Sequence, residues 1–324
     1  MSRSDGQSIA QVPEPPVGFD AERAFAGVHW HQNWEVFRGV TTPGRNNVRR
    51  LCDRVQLPAD LTGKRVLDIG AWNGGYSFEC ERRGAGEVIA YSLENPDVTG
   101  FNRLKALLGS RVRYVQGSVY TLSPERMGEF DLILFFGVLY HLRYPLLAMD
   151  RIRSVSCGEV LIETHTLTSR HLLRAPLWPF GALFGLAAIF RGTPLWRQYK
   201  EYELHPEDQS NWFGPNVKAV IESFETAGFS VQHLASWDWG ARSAFRAVAA
   251  PIPSRIRDGT YEGLSTFNAH LTGIDRKDGD HLFRRDECGS AVVSASSRYL
   301  LRAYANSPCG DWRAEIAGLR KTRR

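Results

Sequence analysis

A glycine-rich turn carries the clearest chemical signal in the sequence. Gly70, Gly74 and Gly75 follow a short apolar run that contains Asp68, and a helical stretch comes next. Glycine lets the backbone turn tightly and approach a ligand closely, and the N–H groups that open the following helix can bind a carboxylate. Such a turn between a strand and a helix of a parallel sheet is a site for nucleotide-like ligands. Trp72 occupies the middle glycine position of a dinucleotide motif, which disfavours a nicotinamide cofactor.

The elements around this turn alternate between short β-branched runs and helical stretches, as in a parallel sheet with crossover helices. Helices are predicted at residues 76–83, 101–108, 146–155 and 215–227. Seven strands are predicted, at residues 64–69, 87–91, 112–116, 130–136, 159–163, 229–231 and 244–248. The fourth strand is almost wholly apolar, as expected for a strand buried on both faces. The sequence therefore predicts an α/β, Rossmann-like fold.

Composition limits the class of protein. Hydrophobic residues make up 43% and charged residues 23% of the 324 residues, the balance of an ordinary globular protein. The formal charge of +5 lies partly in residues 320–324, and it is too small to argue for nucleic acid by itself. Five cysteines, odd in number and without metal-ligand spacing, favour a cytoplasmic protein and predict no metal site. Residues 1–16 are polar and contain three prolines, so no secretory signal is expected.

An apolar segment at residues 171–190 has about the length of a membrane span. It carries Arg174, Pro176 and Pro179, and two prolines so close together would break a helix. We therefore predict no integral membrane span. A lid over an apolar pocket, or one of its walls, is the favoured interpretation, with a shallow membrane contact as the alternative.

Four segments resemble bacterial class I methyltransferases similar to the enzymes that make 5-oxyacetyl uridine at the tRNA wobble position. They are Phe-Arg-Gly-Val at 37–40, the stretch 60–74, Gly-Val-Leu-Tyr-His at 137–141, and Asn-Trp-Phe-Gly-Pro-Asn at 211–216. The third segment is the most specific. The resemblance implies S-adenosylmethionine as cofactor and a seven-stranded class I methyltransferase sheet. The predicted organisation is a flexible lead at 1–36, a methyltransferase domain at 37–251 with an apolar insertion at 167–210, and a C-terminal extension of unknown role at 252–324.

The resemblance also suggests which residues bind the cofactor. Asp68, Gly70 and Gly74 belong to the turn, and Asp68 would reach the amino-acid part of the cofactor through its neighbours or water. The family usually has an acid at the end of the second strand, where this chain has Ser92 with Glu94 two residues later. Either Glu94 or Ser92 with a water would hold the ribose. The remaining expected contacts are Ser118 and Val119 at the adenine, and Phe136 and Gly137 on the far side.

Methyl transfer is an in-line displacement, so the protein mainly aligns the nucleophile and excludes water. A hydroxyl nucleophile also needs a base. His141 is the best candidate by position and His165 is the second, although a structural role competes for both. Tyr140 resembles the family tyrosine that faces the reactive end of the cofactor. A metal held by Glu163, His165 and His141 is disfavoured, because nothing in their spacing demands one.

The acceptor stays open between classes. His165, Asn211 and Trp212 are expected on the acceptor side, and the apolar segment favours a small or lipophilic metabolite modified at oxygen. The alternative is tRNA wobble-uridine modification with carboxy-S-adenosylmethionine, for which Tyr140 and Arg246 resemble carboxylate-contacting positions. The tryptophan-rich basic lead-in of that family is not clearly reproduced, which makes tRNA the less favoured partner. A third possibility, a cofactor-binding protein without catalysis, is supported only by the departure at Ser92.

Overall fold

The sheet that carries the site has seven strands in the computed structural model, which describes residues 12–168 and 192–251. In chain order they are β1 Arg65–Ile69, β2 Glu87–Ser92, β3 Arg113–Gln116, β4 Phe130–Phe136, β5 Ser156–His165, β6 Phe229–Trp237 and β7 Arg242–Ala249. All seven predicted strands are confirmed. The C-terminal residues 252–324, predicted as an extension, lie outside the described residues, as does the segment 169–191 that holds most of the predicted lid.

The strand order across the sheet is β6-β7-β5-β4-β1-β2-β3. Strands β1 to β5 run parallel to one another. Strand β7 is antiparallel to both of its neighbours, β5 and β6. The strand order reverses at β1, because the chain first adds β2 and β3 on one side and then β4 and β5 on the other. In open α/β sheets a ligand binds in the crevice at the carboxyl ends of the strands beside such a reversal. This topology is the Rossmann-like class I methyltransferase sheet that the sequence predicts.

Both faces of the sheet are covered, so alternate residues of β1 enter two separate cores. Val66 packs in the layer that contains Trp34 and Phe101, whereas Leu67 packs in the layer that contains Phe224. A fully buried side chain of this size contributes about 1.5–3 kcal/mol. Burial of both faces explains why the central strands read as continuous apolar runs.

Among the described helices, four match the predicted ones, with small differences at the ends. They are α1 Gly75–Arg82, α2 Phe101–Leu108, α3 Pro145–Ser154 and α4 Val217–Thr226. The helix Val48–Arg54 also packs in the core. Helix α4 begins two residues later than predicted, because the Asn216 side chain accepts a hydrogen bond from the Ala219 N–H at 2.9 Å and so caps the helix. Pro215 instead ends the short strand Phe213–Pro215, which pairs with Trp196–Gln198. Among the described residues, none of the helices has the length and apolar character needed to cross a membrane.

The predicted flexible lead is folded in its described part, residues 12–36. It contains the helix Ala21–Phe25 and the strand Gln32–Asn33. Trp30 and Trp34 are 7% and 4% exposed and pack in the same core as α1. The prediction of flexibility is wrong here, because these indole rings find an apolar surface on the domain and their removal from water offsets the entropy of ordering the segment.

Asn73, in the glycine-rich turn, holds this N-terminal segment in place. Its carboxamide oxygen accepts hydrogen bonds from the backbone N–H groups of His31 at 2.8 Å and Gln32 at 3.0 Å. Its amide donates to the carbonyls of Thr99 at 2.6 Å and His29 at 3.3 Å. The side chain is buried, and its bonds to Gln32 and Thr99 are buried while those to His29 and His31 are partly buried. One side chain thereby connects the lead, the turn and the loop that precedes α2.

We expect Asn73→Ala to lower the free energy of unfolding by roughly 3–5 kcal/mol, because several buried backbone groups would lose their partners at about 1–3 kcal/mol each. Chemical denaturation measures this loss, and faster tryptic cleavage after Arg23 and Arg38 reports release of the lead. Asn33→Ala is the matched control, since among the described residues its side chain makes only a half-buried bond to the Thr42 carbonyl at 2.8 Å and an exposed bond from the Asn47 amide at 3.4 Å. Equal losses in the two variants would contradict the anchoring role of Asn73.

Candidate active site

The turn after β1 has a backbone that requires glycine at two positions. Gly70 and Gly74 have φ angles of +77° and +87°, in the left-handed region that disfavours other residues. A Cβ on Gly70 would lie 2.4 Å from Cγ2 of Val138, and a Cβ on Gly74 would lie 2.5 Å from the ring of Phe101. The turn is therefore packed directly against the segment that follows β4 and against helix α2.

Trp72 stands in the middle of this turn with a φ of +51°, which is unusual for a bulky residue. Its indole N–H is buried and has no hydrogen-bond partner among the described residues. The ring lies beside that of His31, with centroids 6.3 Å apart. A buried donor without a partner costs free energy, and strained backbone is typical of binding sites. The indole N–H is therefore a fitting donor for a bound ligand.

The N-terminus of α1 is partly capped by the lead. The Gly75 N–H donates to the side-chain oxygen of Gln32 at 2.7 Å, and the Gln32 amide donates to the Ala71 carbonyl at 3.2 Å. The sequence predicted that this helix start would offer its N–H groups to a ligand carboxylate. In the structure one of those N–H groups, that of Gly75, is bonded to Gln32. Only the remaining N–H groups of the first turn can therefore bind a ligand carboxylate.

Asp68 lies under the turn, where it is 2% exposed. Burial raises the pKa of its carboxyl to about 7, against the effect of the Ser77 hydroxyl, which donates to it at 2.6 Å. The carboxyl is thus joined to α1, as expected of a residue that orders the turn. Its predicted contact with the cofactor through neighbours or water stays a prediction.

The end of β2 resolves how Ser92 and Glu94 relate. The Ser92 hydroxyl donates a hydrogen bond to the Glu94 carboxylate, and the Tyr114 hydroxyl donates to the Glu94 carbonyl at 2.9 Å. Ser92 is 3% exposed, while Glu94 is partly exposed. The two predicted alternatives for the ribose therefore form one unit, in which the serine orients the carboxylate.

The remaining predicted cofactor residues lie at the same edge of the sheet. Ser118 and Val119 follow β3, where Ser118 caps a short 3-10 turn and Val119 is buried. Phe136 ends β4 and packs edge-on against Tyr76, with ring centroids 5.0 Å apart. These positions lie at the carboxyl ends of β3 and β4, which run parallel to β1 in the same sheet, so the fold brings the predicted set together at one edge.

Arg242 lies beside the predicted site residue Tyr140, a placement that the sequence did not reveal. Its guanidinium makes two hydrogen bonds to the Glu163 carboxylate, at 2.6 and 2.7 Å, and stacks over the Tyr140 ring at 5.1 Å. Burial opposes its charge, but Glu163 holds the pKa of Arg242 above its ordinary value. Burial raises the pKa of Tyr140, so its hydroxyl stays protonated. Arg246, the residue expected to contact a carboxylate, lies farther along β7 and pairs with Glu159 at 3.1 Å; the arginine beside Tyr140 is Arg242.

His141 and His165 differ in their hydrogen bonds. His165 contacts the Ala241 carbonyl with Nδ1 at 3.0 Å and the Tyr199 hydroxyl with Nε2 at 2.9 Å, so both of its ring nitrogens are used within the protein. His141 contacts the Ser210 hydroxyl through Nδ1 at 2.8 Å. Burial lowers the pKa of His141, opposed by the charge of Asp208, so the ring is neutral near neutral pH and suits a base. His165 suits an acceptor-binding or catalytic role less well.

The predicted acceptor wall lies beside Tyr140. The backbone N–H of Trp212 donates to the Tyr140 carbonyl at 2.8 Å. The guanidinium of Arg143 lies over one face of the indole, 4.8 Å from the ring centroid, and Trp212 remains 38% exposed. Asn211 is 3% exposed, and its side-chain oxygen has no hydrogen-bond partner among the described residues. An exposed indole and a buried free acceptor are both suited to contact a ligand.

The site fits S-adenosylmethionine on the chemistry of its donors and acceptors. The indole N–H of Trp72 can donate to a carboxylate, and the Glu94 carboxylate can accept from ribose hydroxyls. In the described part of the chain, no group of three His, Cys, Asp or Glu side chains is arranged to hold a metal ion. Glu163, the acid of the disfavoured metal set, is engaged by Arg242.

Comparison with protein families gives a match to the family described as "Methyltransferase domain" over residues 44–234, more than half of the chain. The chain belongs to this methyltransferase family. Its cofactor is S-adenosylmethionine, and the methyltransferase activity and fold expected from the resemblance are confirmed.

Curated relatives of this methyltransferase share one name. A tRNA U34 carboxymethyltransferase of Pseudomonas aeruginosa is 32% identical over 294 residues, which cover 80% of this chain and 81% of that enzyme. An enzyme with the same name from Ectopseudomonas mendocina is 32% identical over 183 residues, covering 54% of this chain and 48% of the relative. The methyltransferase thus spans about half the length of some of these relatives. A similar solved structure is the N-terminal domain of EvdMO1 in the presence of SAH and D-fucose. It is 18% identical, the match covers 71% of this chain and 93% of that domain, and the TM-score is 0.48.

Sequence reasoning missed the residues that the lead brings to this methyltransferase site. Burial lowers the pKa of His31, and the nearby Arg242 acts in the same direction. The Asn46 amide contacts Nε2 of His31 at 2.6 Å. The available signal was the alternation of Trp30, Trp34 and Val36 with polar residues, which is typical of a segment that packs one face on a domain.

We expect Gly70→Ala to weaken binding of S-adenosylhomocysteine roughly tenfold or more, which corresponds to about 1.4 kcal/mol. The new Cβ would displace Val138 and move the turn. Gly39→Ala is the matched control, because Gly39 has a φ of +74° with nothing within 4 Å of its added Cβ. Calorimetry on both folded variants measures the difference, and the same affinity in the two would overturn the assignment of the turn.

We expect Glu94→Ala to weaken the same binding by roughly 1.5–3 kcal/mol, the range for a hydrogen bond to a charged group. If Ser92 acts by orienting Glu94, the double variant Ser92→Ala/Glu94→Ala should lose no more than Glu94→Ala alone. Gln116→Ala is the control, since its amide supports the same loop at the Leu93 carbonyl, 2.8 Å away. A larger loss in Ser92→Ala than in Glu94→Ala would move the role to the serine.

Proposed function

We propose that this methyltransferase transfers the methyl group of S-adenosylmethionine to a hydroxyl oxygen of a small or lipophilic metabolite, with His141 as the base. The observation that carries the proposal is the position of a neutral histidine directly beside Tyr140, with ring centroids 4.2 Å apart, at the edge of the sheet where β1 and β4 end. When bound, S-adenosylmethionine supplies a methyl group on a positively charged sulfur for in-line transfer.

The residues around His141 support a hydroxyl acceptor. The acceptor oxygen must lose its proton as the bond to carbon forms, and a neutral imidazole takes that proton near neutral pH. Tyr140 keeps its proton, because burial raises its pKa, so its hydroxyl serves as a hydrogen-bond donor that orients a reacting group. The exposed face of Trp212 offers a stacking surface for the body of the acceptor.

The balance of charge supports S-adenosylmethionine itself as the donor. The buried charge of Arg242 is neutralised by Glu163, which is only 3% exposed and accepts two of its hydrogen bonds. A donor with an extra carboxylate would bring a second negative charge close to that acid. This arrangement therefore favours a cofactor without the added carboxylate.

The second candidate is modification of the tRNA wobble uridine with carboxy-S-adenosylmethionine. It is supported by the name shared by the relatives and by the placement of Arg242 over Tyr140. The exposed side chains of Arg45, Arg49 and Arg50 form a basic cluster that adds support. The backbone N–H of Arg45 donates to the His31 carbonyl at 3.1 Å, which connects this cluster with the site. Phosphates are ligands for such a cluster.

The donor and the acceptor class are tested together. We expect mass spectrometry of ligand released from the purified protein to find S-adenosylmethionine or S-adenosylhomocysteine. With methyl-labelled S-adenosylmethionine and a fractionated bacterial extract, label should enter small organic-soluble compounds rather than RNA. His141→Gln should reduce that transfer about 100-fold or more. His233→Gln, an exposed histidine on β6, is the control and should keep full activity.

Different results of the same experiment would favour the second candidate. Carboxy-S-adenosylmethionine among the released ligands, or modification of tRNA in the RNA fraction, would replace the metabolite proposal. Binding of total tRNA should then survive physiological salt and fall in Arg45→Glu/Arg49→Glu/Arg50→Glu, because phosphate contacts control the salt dependence. Under the first proposal, tRNA binding is weak and disappears at physiological salt.

A further inference from the structure

The loop before Trp212 contacts His141 at one ring nitrogen, Nδ1, and within the described ranges the other, Nε2, is left free to act as a base. Nδ1 of His141 lies 2.8 Å from the Ser210 hydroxyl and 3.9 Å from the Asp208 carboxylate. The Ser210 hydroxyl in turn donates to the same carboxylate, and the Ser210 N–H donates to it at 2.8 Å. Among the described residues, Nε2 of His141 has no hydrogen-bond partner, and the side chain is 31% exposed.

The protons of this chain of contacts can be counted. Burial works against ionisation of Asp208, but the hydrogen bonds from Ser210 and the nearby His141 hold its pKa below the ordinary value. The carboxylate therefore only accepts hydrogen bonds. Ser210 has one hydroxyl proton, and that proton points to Asp208. Its oxygen must then accept from His141, so Nδ1 carries the ring proton and Nε2 carries the lone pair.

We infer that Asp208 and Ser210 are positioning residues that hold the proton of His141 on Nδ1, so that Nε2 is the nitrogen that takes the proton of the hydroxyl acceptor. This inference rests on the proposed function of His141 as a base. Neither residue lies in a motif that the sequence singled out, and both belong to the segment that returns the chain to Tyr140 through the Trp212 N–H.

The step balances through named atoms. The acceptor oxygen forms a bond to the methyl carbon while the carbon–sulfur bond breaks and its electron pair stays on sulfur. The hydroxyl proton moves to Nε2, and His141 becomes an imidazolium. Its positive charge is then stabilised through Ser210 by the carboxylate of Asp208, in the way that a buried acid supports the base of other enzymes.

Nuclear magnetic resonance of the full chain tests the inference without cofactor or acceptor. Long-range proton–nitrogen spectra of ¹⁵N-histidine-labelled protein distinguish the two neutral tautomers, and His141→Gln identifies the signals of His141. We expect the wild type to show a protonated Nδ1 and an unprotonated Nε2. Ser210→Ala should give a mixture of tautomers, and Ser210→Thr, which keeps the hydroxyl, should restore the wild-type pattern.

The pH titration of the same signals provides a second readout. We expect Asp208→Asn to lower the pKa of His141 by on the order of one pH unit, because a nearby negative charge is lost. The charged and titratable groups that act on His141 are otherwise unchanged, namely Arg242, His205 and His31. His233 serves as the internal control and should titrate alike in all variants, which also reports that they are folded.

The outcomes separate this inference from the proposed function. A wild-type ring protonated on Nε2, or variants that leave both tautomer and pKa unchanged, would overturn the positioning role even if methyl transfer to hydroxyls is found. Conversely, the expected spectra with no effect of His141→Gln on transfer would reject His141 as the base. The tautomer is then a property of the loop that has no part in the reaction.

Discussion

The backbone of the turn after β1 must pass between two packed surfaces, and the site depends on this constraint. Gly70 meets Val138 on one side and Gly74 meets Phe101 on the other. No side chain can be added at either point without moving a neighbouring element. The segment after β4, which continues to Tyr140 and His141, is therefore fixed in relation to the turn that is predicted to bind the cofactor. A change at one of these contacts alters the distance between the binding part and the reacting part of the site.

Charge and polarity are organised around this fixed frame. Two buried carboxyl groups at the site are paired within the protein, in the bonds of Asp68 to Ser77 and of Glu163 to Arg242. Two buried polar atoms near the turn and the acceptor wall, on Trp72 and Asn211, have no partner in the described ranges. These two atoms are suited to contact a ligand, because a buried polar group without a partner is costly and a ligand at the site would satisfy it.

The sequence predicted the sheet well because its strands are buried on both faces and read as continuous apolar runs, as in β4. The glycine turn was also predictable, since its spacing reflects a local backbone requirement. The lead was misjudged, because its hydrogen bonds run to Asn73, more than forty residues away. Arg242 and Asp208 were missed for a similar reason. Their partners, Glu163 and His141, are distant in sequence, and only the register of β7 distinguishes Arg242 from Arg246.

The position of the lead shows that the surroundings of the turn extend beyond the family match. The family match begins at Gly44, yet His29, His31 and Gln32 reach the site from before that point. The matched part of the chain supplies the sheet and the turn, while an upstream stretch supplies further residues that contact the turn. That stretch has a double role, because Trp30 and Trp34 pack in the core of the domain while His31 and Gln32 lie beside the turn. A description of the site taken from the family match alone would therefore omit side chains that contact the turn.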